Sequence, residues 1–330
     1  MLDAPLVFQR AQLLGQPDAQ AGFFAGFAHT GHGRGFTREL TQYQTFDLKR
    51  LSPALGAEIR GVDLSQPLPP AQLAEIRQAL TEHLVLTFPG QAINAEQHKA
   101  FGRLFGSLHQ HVLGDSTQLT ARSGDAEILG WKTGRTTRYT AGDAWHNDVS
   151  CDPHPIWASL LRVTRLPEVG GGDTAFANLY LAYESLSDPI KQLLLGLTAV
   201  HDGREGWSNG YGAEPKPGQV FNASEHPVVA KHPLSGRPFL FVNEAFTSHI
   251  VQLSRAESDA LLQLLYRHIE KHQSFQARIH WQADMLLLWD NWATQHHAIW
   301  DYYPFERWGE RVSAYLEHGP QPAGTIISQQ

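Results

Sequence analysis

The stretch AGDAWHNDVSCD, residues 141–152, places His146 and Asp148 two positions apart beside Trp145, in a segment without helical periodicity. If the segment is extended, residues i and i+2 share a face, and an imidazole and a carboxylate are offered to one point. The chain holds 18 histidines, so about one histidine–aspartate pair at this spacing is expected by chance. Alone, the pair marks either metal ligands or neighbouring surface groups. A third ligand changes the weighing. DMLLLWDNWATQHHAIW supplies His296 or His297 just past an apolar run. Two imidazoles and one carboxylate that leave open positions suit ferrous iron and oxygen chemistry, whereas zinc more often takes three or four nitrogen or sulfur ligands. Open positions accept a bidentate organic acid and then dioxygen. Such an acid needs a counter-charge, and Arg307 and Arg311 follow in FERWGERVSAYL. Arginine grips a carboxylate through two parallel hydrogen bonds. With Arg311 on a strand and Arg307 on the loop leading into it, both reach one cavity. The alternative pairs them with Glu306 and Glu310 at the surface.

The elements that must position these groups are mostly strands. TFDLKRL, AEIRGVDL, LVLTFPG, PIWASLLRVTRL, GDTAFAN, LTAVHDG, HPVVAKHP, RPFLFVN, FQARIHW, DMLLLWDN and RVSAYLEH all read as short strands, with PLSGRP as a hairpin turn. PPAQLAEIRQALTEH, NAEQHKAFGRLFG, capped by Asn94, and RAESDALLQLLYRHIEKH, capped by Ser254, read as helices. AYESLSDPIKQLLLGL reads as a helix broken at Pro189. Many strands with a few helices outside predict a mainly β protein with flanking helices and a double-stranded β-helix core of the jelly-roll, cupin-like type. The absence of strand–helix alternation argues against a doubly wound parallel sheet. Residues 1–44 read as an irregular N-terminal arm and residues 45–330 as a single domain. A lid insertion is expected around 112–142, with Trp131, Lys132, Arg135, Arg138 and Tyr139 in it. The GHGRGF run imitates a dinucleotide loop but has no strand before it and no helix after it.

Composition narrows the partners. A net charge of −7 without a basic stripe speaks against nucleic acid and anionic membranes. Neither a signal peptide nor a run of roughly 18 apolar residues is present, which gives the expectation of a soluble, cytoplasmic protein. Cys151 stands alone in the sequence, which fits a reducing compartment. It reads as a buried structural thiol, and its closeness to the ligand pair makes it an oxidation target during turnover without substrate.

WHND at 145–148, GGGDTAFAN at 170–178, WDNWATQHHA at 289–298 and two arginines four apart together resemble the taurine dioxygenase / 2,4-D dioxygenase (TauD/TfdA) family of Fe(II)- and 2-oxoglutarate-dependent oxygenases. LGAEIRGVDLSQPL, HLVLTFPGQAIN, FGRLFGSLHQH and EHPVVAKHPLSGRPFLFVN extend the likeness, in order, over roughly residues 45–318. The resemblance implies that His146, Asp148 and His296 hold iron. His296 is preferred to His297 because it follows Thr294-Gln295, as in the family. It implies that the far carboxylate of 2-oxoglutarate meets Arg307 and Thr174. His111, the backbone N–H of Val149 and Arg311 would then grip an anionic substrate, with Arg311 also able to help hold the cosubstrate. Asn147 stands where the taurine enzymes have threonine, and Trp207, Tyr211 and Phe221 are further pocket candidates. The implied enzyme is an oxidoreductase, a dioxygenase that uses O2. It hydroxylates a small anionic organic substrate, an organosulfonate or alkyl sulfate ester, while 2-oxoglutarate is oxidatively decarboxylated to succinate and CO2. An aryloxyalkanoate or an amino-acid-derived substrate is the alternative within the class; a zinc hydrolase or a non-catalytic acid-binding barrel lies outside it. The family also suggests a homo-oligomer, dimer or tetramer.

Overall fold

The computed structural model describes residues 41–111, 125–138, 140, 142–210, 215 and 217–323. The first elements are β1 (Asp47–Arg50), β2 (Ala57–Arg60), α1 (Pro70–His83), β3 (Val85–Phe88), α2 (Ala95–Arg103) and β4 (Leu129–Thr133). Then follow β5 (Ala158–Arg165), β6 (Thr174–Asn178), α3 (Leu179–Glu184), α4 (Asp188–Leu194), β7 (Thr198–Asp202), β8 (Ala223–Pro227), β9 (Val229–Lys231), β10 (Pro238–Leu240) and β11 (Thr247–Ile250). The chain continues through α5 (Arg255–Lys271), β12 (Gln276–Ile279), β13 (Leu286–Asp290), β14 (Thr294–Ala298), β15 (Arg307–Ala314) and β16 (Gln321–Pro322).

The main sheet has seven strands in the order β1-β2-β3-β13-β5-β15-β4. Three smaller sheets, β12-β6-β14, β11-β7-β8 and β10-β9-β16, complete the strands. The runs VLTF and LLLWD are buried along their whole length, as befits central strands covered on both faces. Trp289 of β13 meets Phe176 of β6 at 5.6 Å and His296 of β14 at 5.0 Å between ring centroids. One apolar core thus runs between the main sheet and β6–β14. The architecture is the expected mainly β fold with flanking helices around a jelly-roll core.

The helices follow their sequence signals. α1 opens on Pro70 and buries Ile76, Ala79 and Leu80, a helical stripe, before Leu84 ends it in a left-handed conformation. Asn94 with Gln97 caps α2, and Ser254 with Glu257 caps α5, each through reciprocal side-chain and backbone bonds. The helix expected across Pro189 is two helices, with the proline in the first turn of α4, where its missing N–H is tolerated.

Two expectations are revised. Part of the anticipated lid is a strand: β4 pairs along the outer edge of β15, because Trp131 and Thr133 can turn inward while Lys132 turns to solvent. The rest of that expectation, residues 112–124, lies outside the described residues, as does the N-terminal arm up to residue 40. And β15 starts at Arg307 itself, so both arginines are strand residues rather than one strand and one loop residue.

Candidate active site

His146 and His296 face each other across an isolated antiparallel bridge. The N–H of His146 donates to the His296 carbonyl at 3.1 Å, and the His296 N–H donates back at 2.9 Å. This bridge, rather than a shared strand face, brings the first histidine to the site, and Asp148 arrives through the turn that follows. Its carboxylate oxygens stand 3.7 Å from Nε2 of His146 and 3.7 Å from Nε2 of His296. One ligand atom from each of the three lies within 4.8 Å of the others. His297 is the alternation partner that points the other way, half-buried and bonded to Asp143 at 3.0 Å, and it is His296 that belongs to the compact group.

The turn is held from a distance. Asn291, fully buried, accepts from the Asp148 N–H at 2.8 Å and donates to the Asp148 carbonyl at 3.0 Å and the Ile156 carbonyl at 3.0 Å. Asn147 donates to the carbonyls of Asn291 and Thr294, both at 2.8 Å, and accepts from Asn243 at 3.3 Å. Asn147, which stands where the taurine enzymes have threonine, is therefore fully buried in this clamp and does not line the cavity. Val149 next to Asp148 has φ 50°, a conformation a β-branched residue adopts only when its surroundings impose it.

The donor set fits a divalent ion. Nδ1–H of His146 donates to the Ala144 carbonyl at 2.8 Å, which leaves the Nε2 lone pair for a metal. Burial, reinforced by the neighbouring His146, holds His296 well below the ordinary histidine range, so it is neutral. Burial alone would raise Asp148, but the Arg311 guanidinium, the largest opposing influence, helps hold the carboxyl below its usual range and ionised. Arg311 Nη1 donates directly to Asp148 Oδ1. Two imidazoles and a carboxylate are the ligand set that leaves a ferrous ion open positions.

The second cation is differently placed. Arg307 is 4% exposed, and among the described residues no carboxylate pairs with it. Its guanidinium bonds the Tyr302 hydroxyl; Tyr302 and Thr133 hydroxyls are 2.8 Å apart, and Thr133 donates to the Arg307 carbonyl at 3.2 Å. Arg307 Nε has no partner among the described residues. Burial lowers its pKa, though not enough to discharge a guanidinium. A buried cation without a counter-ion is costly unless a ligand carboxylate supplies one. Thr174, opposite Ala298 on β6, accepts from the Trp281 indole N–H at 3.1 Å. Its hydroxyl proton therefore remains available to donate. Trp281 was not anticipated; its signal, FQARIHW next to GDTAFAN in one sheet, exists only once β12 and β6 are paired.

One cavity of about 570 Å³ touches all of these groups, a size ordinary for small-molecule sites. His146, Asp148, His296, Thr174, Arg307 and Arg311 line it, and so do His111 and Val149. His111 carries an unpartnered Nε2 and is pushed down to about 3 by burial and then by Arg311. Trp131, Trp207 and Phe221 also line the cavity. Lys132 does not; its ammonium sits 3.8 Å over the Trp308 ring on the outer face. Arg135 and Arg138 are exposed and away from the cavity lining. Tyr139 and Tyr211 lie outside the described residues. Cys151 is buried and borders the cavity, its thiol pushed up to about 12 by burial and by Asp152. Not anticipated from the sequence are His109 and Tyr315, whose ring nitrogen and hydroxyl bond each other at the wall, and Phe246, which also lines the cavity. The HQH spacing at 109–111 was the available signal for His109.

Comparison with known proteins agrees with this geometry. Residues 47–313 match the family described as taurine catabolism dioxygenase TauD, TfdA family. An alpha-ketoglutarate-dependent sulfonate dioxygenase of Saccharomyces cerevisiae is 32% identical over 82% of this chain and 67% of its own length. An alpha-ketoglutarate-dependent sulfate ester dioxygenase of Pseudomonas putida is 33% identical over 81% of this chain and 88% of its own. The crystal structure of a taurine dioxygenase from Burkholderia xenovorans superposes with a TM-score of 0.70 at 34% identity, covering 84% of this chain and 91% of that one. The protein is accordingly an enzyme, an alpha-ketoglutarate-dependent oxidoreductase, and the chain belongs to the TauD, TfdA family of dioxygenases.

Proposed function

We propose that the chain binds ferrous iron through His146, Asp148 and His296 and 2-oxoglutarate through Arg307 and Thr174. On this reading it oxidises a small organosulfonate or alkyl sulfate ester. The observation that carries the proposal is the coexistence, in one cavity, of a compact two-histidine, one-carboxylate set and a buried guanidinium that pairs with no carboxylate among the described residues. A zinc hydrolase could use the first feature but gives the second no task. When bound, iron supplies the oxidising chemistry: one oxygen atom of O2 goes to 2-oxoglutarate, giving succinate and CO2, and the other hydroxylates a substrate carbon.

The protein's own share is binding and orientation. Arg307 takes the far carboxylate of the diacid in a bidentate grip, and Thr174, its oxygen already accepting from Trp281, turns its proton to the same group. Arg311 keeps Asp148 ionised and fixes its rotamer. His111 offers Nε2, and the turn at Val149 offers a backbone N–H, to an anionic head group. Trp207, Phe221 and Phe246 form apolar wall that keeps water from the reacting carbon. If the hydroxylated carbon bears a sulfonate or sulfate, it expels sulfite or sulfate and becomes a carbonyl. Among the described residues no helix is long and apolar enough to cross a membrane.

The test is anaerobic titration of the full chain with Fe(II) and 2-oxoglutarate, watched for the weak visible charge-transfer band. It is followed by oxygenated turnover with sulfonates, sulfate esters, aryloxy acids and amino acids, scored for substrate-triggered succinate. No band and no succinate with any class overturns the proposal; succinate triggered only by aryloxy or amino acids overturns the sulfur-anion part.

A further inference from the structure

We infer that Trp131, seated on the bare backbone of Gly309, selects the chain length of the oxo-diacid; this rests on Arg307 being the clamp for its far carboxylate. The register of β4 against β15 sets Thr133, Trp131 and Leu129 opposite Arg307, Gly309 and Arg311. Alternate residues share a face, so two cationic side chains flank a position that has none. The indole occupies that position. A Cβ at Gly309 would stand 2.2 Å from Cζ2 and 2.5 Å from Cη2 of Trp131, so only glycine lets the ring lie there.

The ring is therefore a partition between the two cations. On one side Arg307 Cζ is 6.0 Å from the indole centroid; on the other Arg311 is engaged with Asp148. Arg307 has no room to retreat. Trp281 closes over it with Cζ at 5.6 Å from the ring, and the backbone of Gly172 crosses its stem so closely that a Cβ would be 2.8 Å from Cδ. The bridge His146–His296 fixes the triad, and this cage fixes the clamp. A diacid that spans the two must have one number of methylenes. A longer one has to buckle, and the floor where it would buckle is filled by the indole.

The experiment is calorimetric titration of the full chain with 2-oxoglutarate and with 2-oxoadipate, one methylene longer, in the presence of Mn(II), which needs no turnover. Wild type should favour 2-oxoglutarate by about 10- to 200-fold, the discrimination one methylene supports. Trp131→Ala should shrink that preference by about tenfold or more, chiefly by admitting the longer acid, and Trp131→Phe, which keeps the strand's apolar contact, should shrink it less. Gly309→Ala, which forces the ring off its seat, should weaken both acids. If Trp131→Ala or Trp131→Phe binds 2-oxoglutarate and the preference is unchanged in both, the inference is overturned while the functional proposal stands. If wild type binds neither acid, the functional proposal itself fails.

Discussion

Replacing Asn291 by leucine should loosen the metal-ligand turn and the fold together. The carboxamide makes three hydrogen bonds, two of them to the backbone on either side of the Asp148 side chain and one to Ile156. Leucine has nearly the same shape, so the backbone N–H and both carbonyls would stay buried without partners. Each stranded group costs about 1–3 kcal/mol, and the gain in apolar burial returns about 1–2 kcal/mol. With three groups stranded the net loss should be about 1–8 kcal/mol, set against the 5–15 kcal/mol that holds a typical domain together. Metal affinity should fall by about 10- to 100-fold, as when partners that orient ligands are removed. Urea unfolding of the metal-free chain measures the first and Mn(II) titration the second. Asn291→Asp keeps the acceptor, loses both donations and buries a second negative charge beside Asp148, so it should be no more stable than the leucine variant. An Asn291→Leu protein that unfolds within about 0.5 kcal/mol of wild type and holds the ion equally well would refute the reasoning.

Val149 sits at φ 50°, so Val149→Gly should be more stable than Val149→Ala by about 1 kcal/mol in the same urea assay, the reverse of the usual order. Arg307→Lys replaces a bidentate fork by a point charge; the KM for 2-oxoglutarate should rise about tenfold or more, and steady-state kinetics showing an unchanged KM would contradict the assigned clamp. His98 and His201 are fully buried and held at about 3 by burial. Between their unfolded value of 6.5 and about 3 the unfolded chain binds more protons, so their contribution is complete above 6.5 and stability falls as pH drops through this window. His98→Gln should flatten the slope there by up to about 1.4 kcal/mol per pH unit, read from urea midpoints at stepped pH. A Cβ at Gly206 would lie 2.1 Å from the Phe246 ring, so Gly206→Ala should push that ring and raise the KM for bulky substrates more than for small ones, a split that equal effects on both would contradict.

Much of the site was readable because its chemistry is carried by residue type. A histidine two positions before an aspartate is expected about once by chance, but followed in order by a histidine after an apolar run and by two arginines four apart it becomes a distinctive set. Helix caps were also plain, since Asn94–Gln97 and Ser254–Glu257 lie three residues apart. What stayed hidden depends on partners remote in sequence. The turn at Asp148 is shaped by Asn291, 143 residues later, and nothing local to WHNDVS reveals that it is a turn and not a strand. β4 was hidden because Gly130 and Lys132 dilute its pattern, and its inward residues acquire meaning only against β15. Glycines whose lack of a side chain makes room for an aromatic ring, Gly309 under Trp131 and Gly206 under Phe246, look in sequence like ordinary flexible positions.

The mutual backbone bonds of His146 and His296 join segments almost half the chain apart. Neither half alone can offer the triad, so an ion has its full ligand set only after the long loop between the two histidines has closed. Any affinity the ion has is then expressed as protection of the closed chain, and its loss in the cell would be felt first as a shorter protein lifetime rather than merely as an idle catalyst.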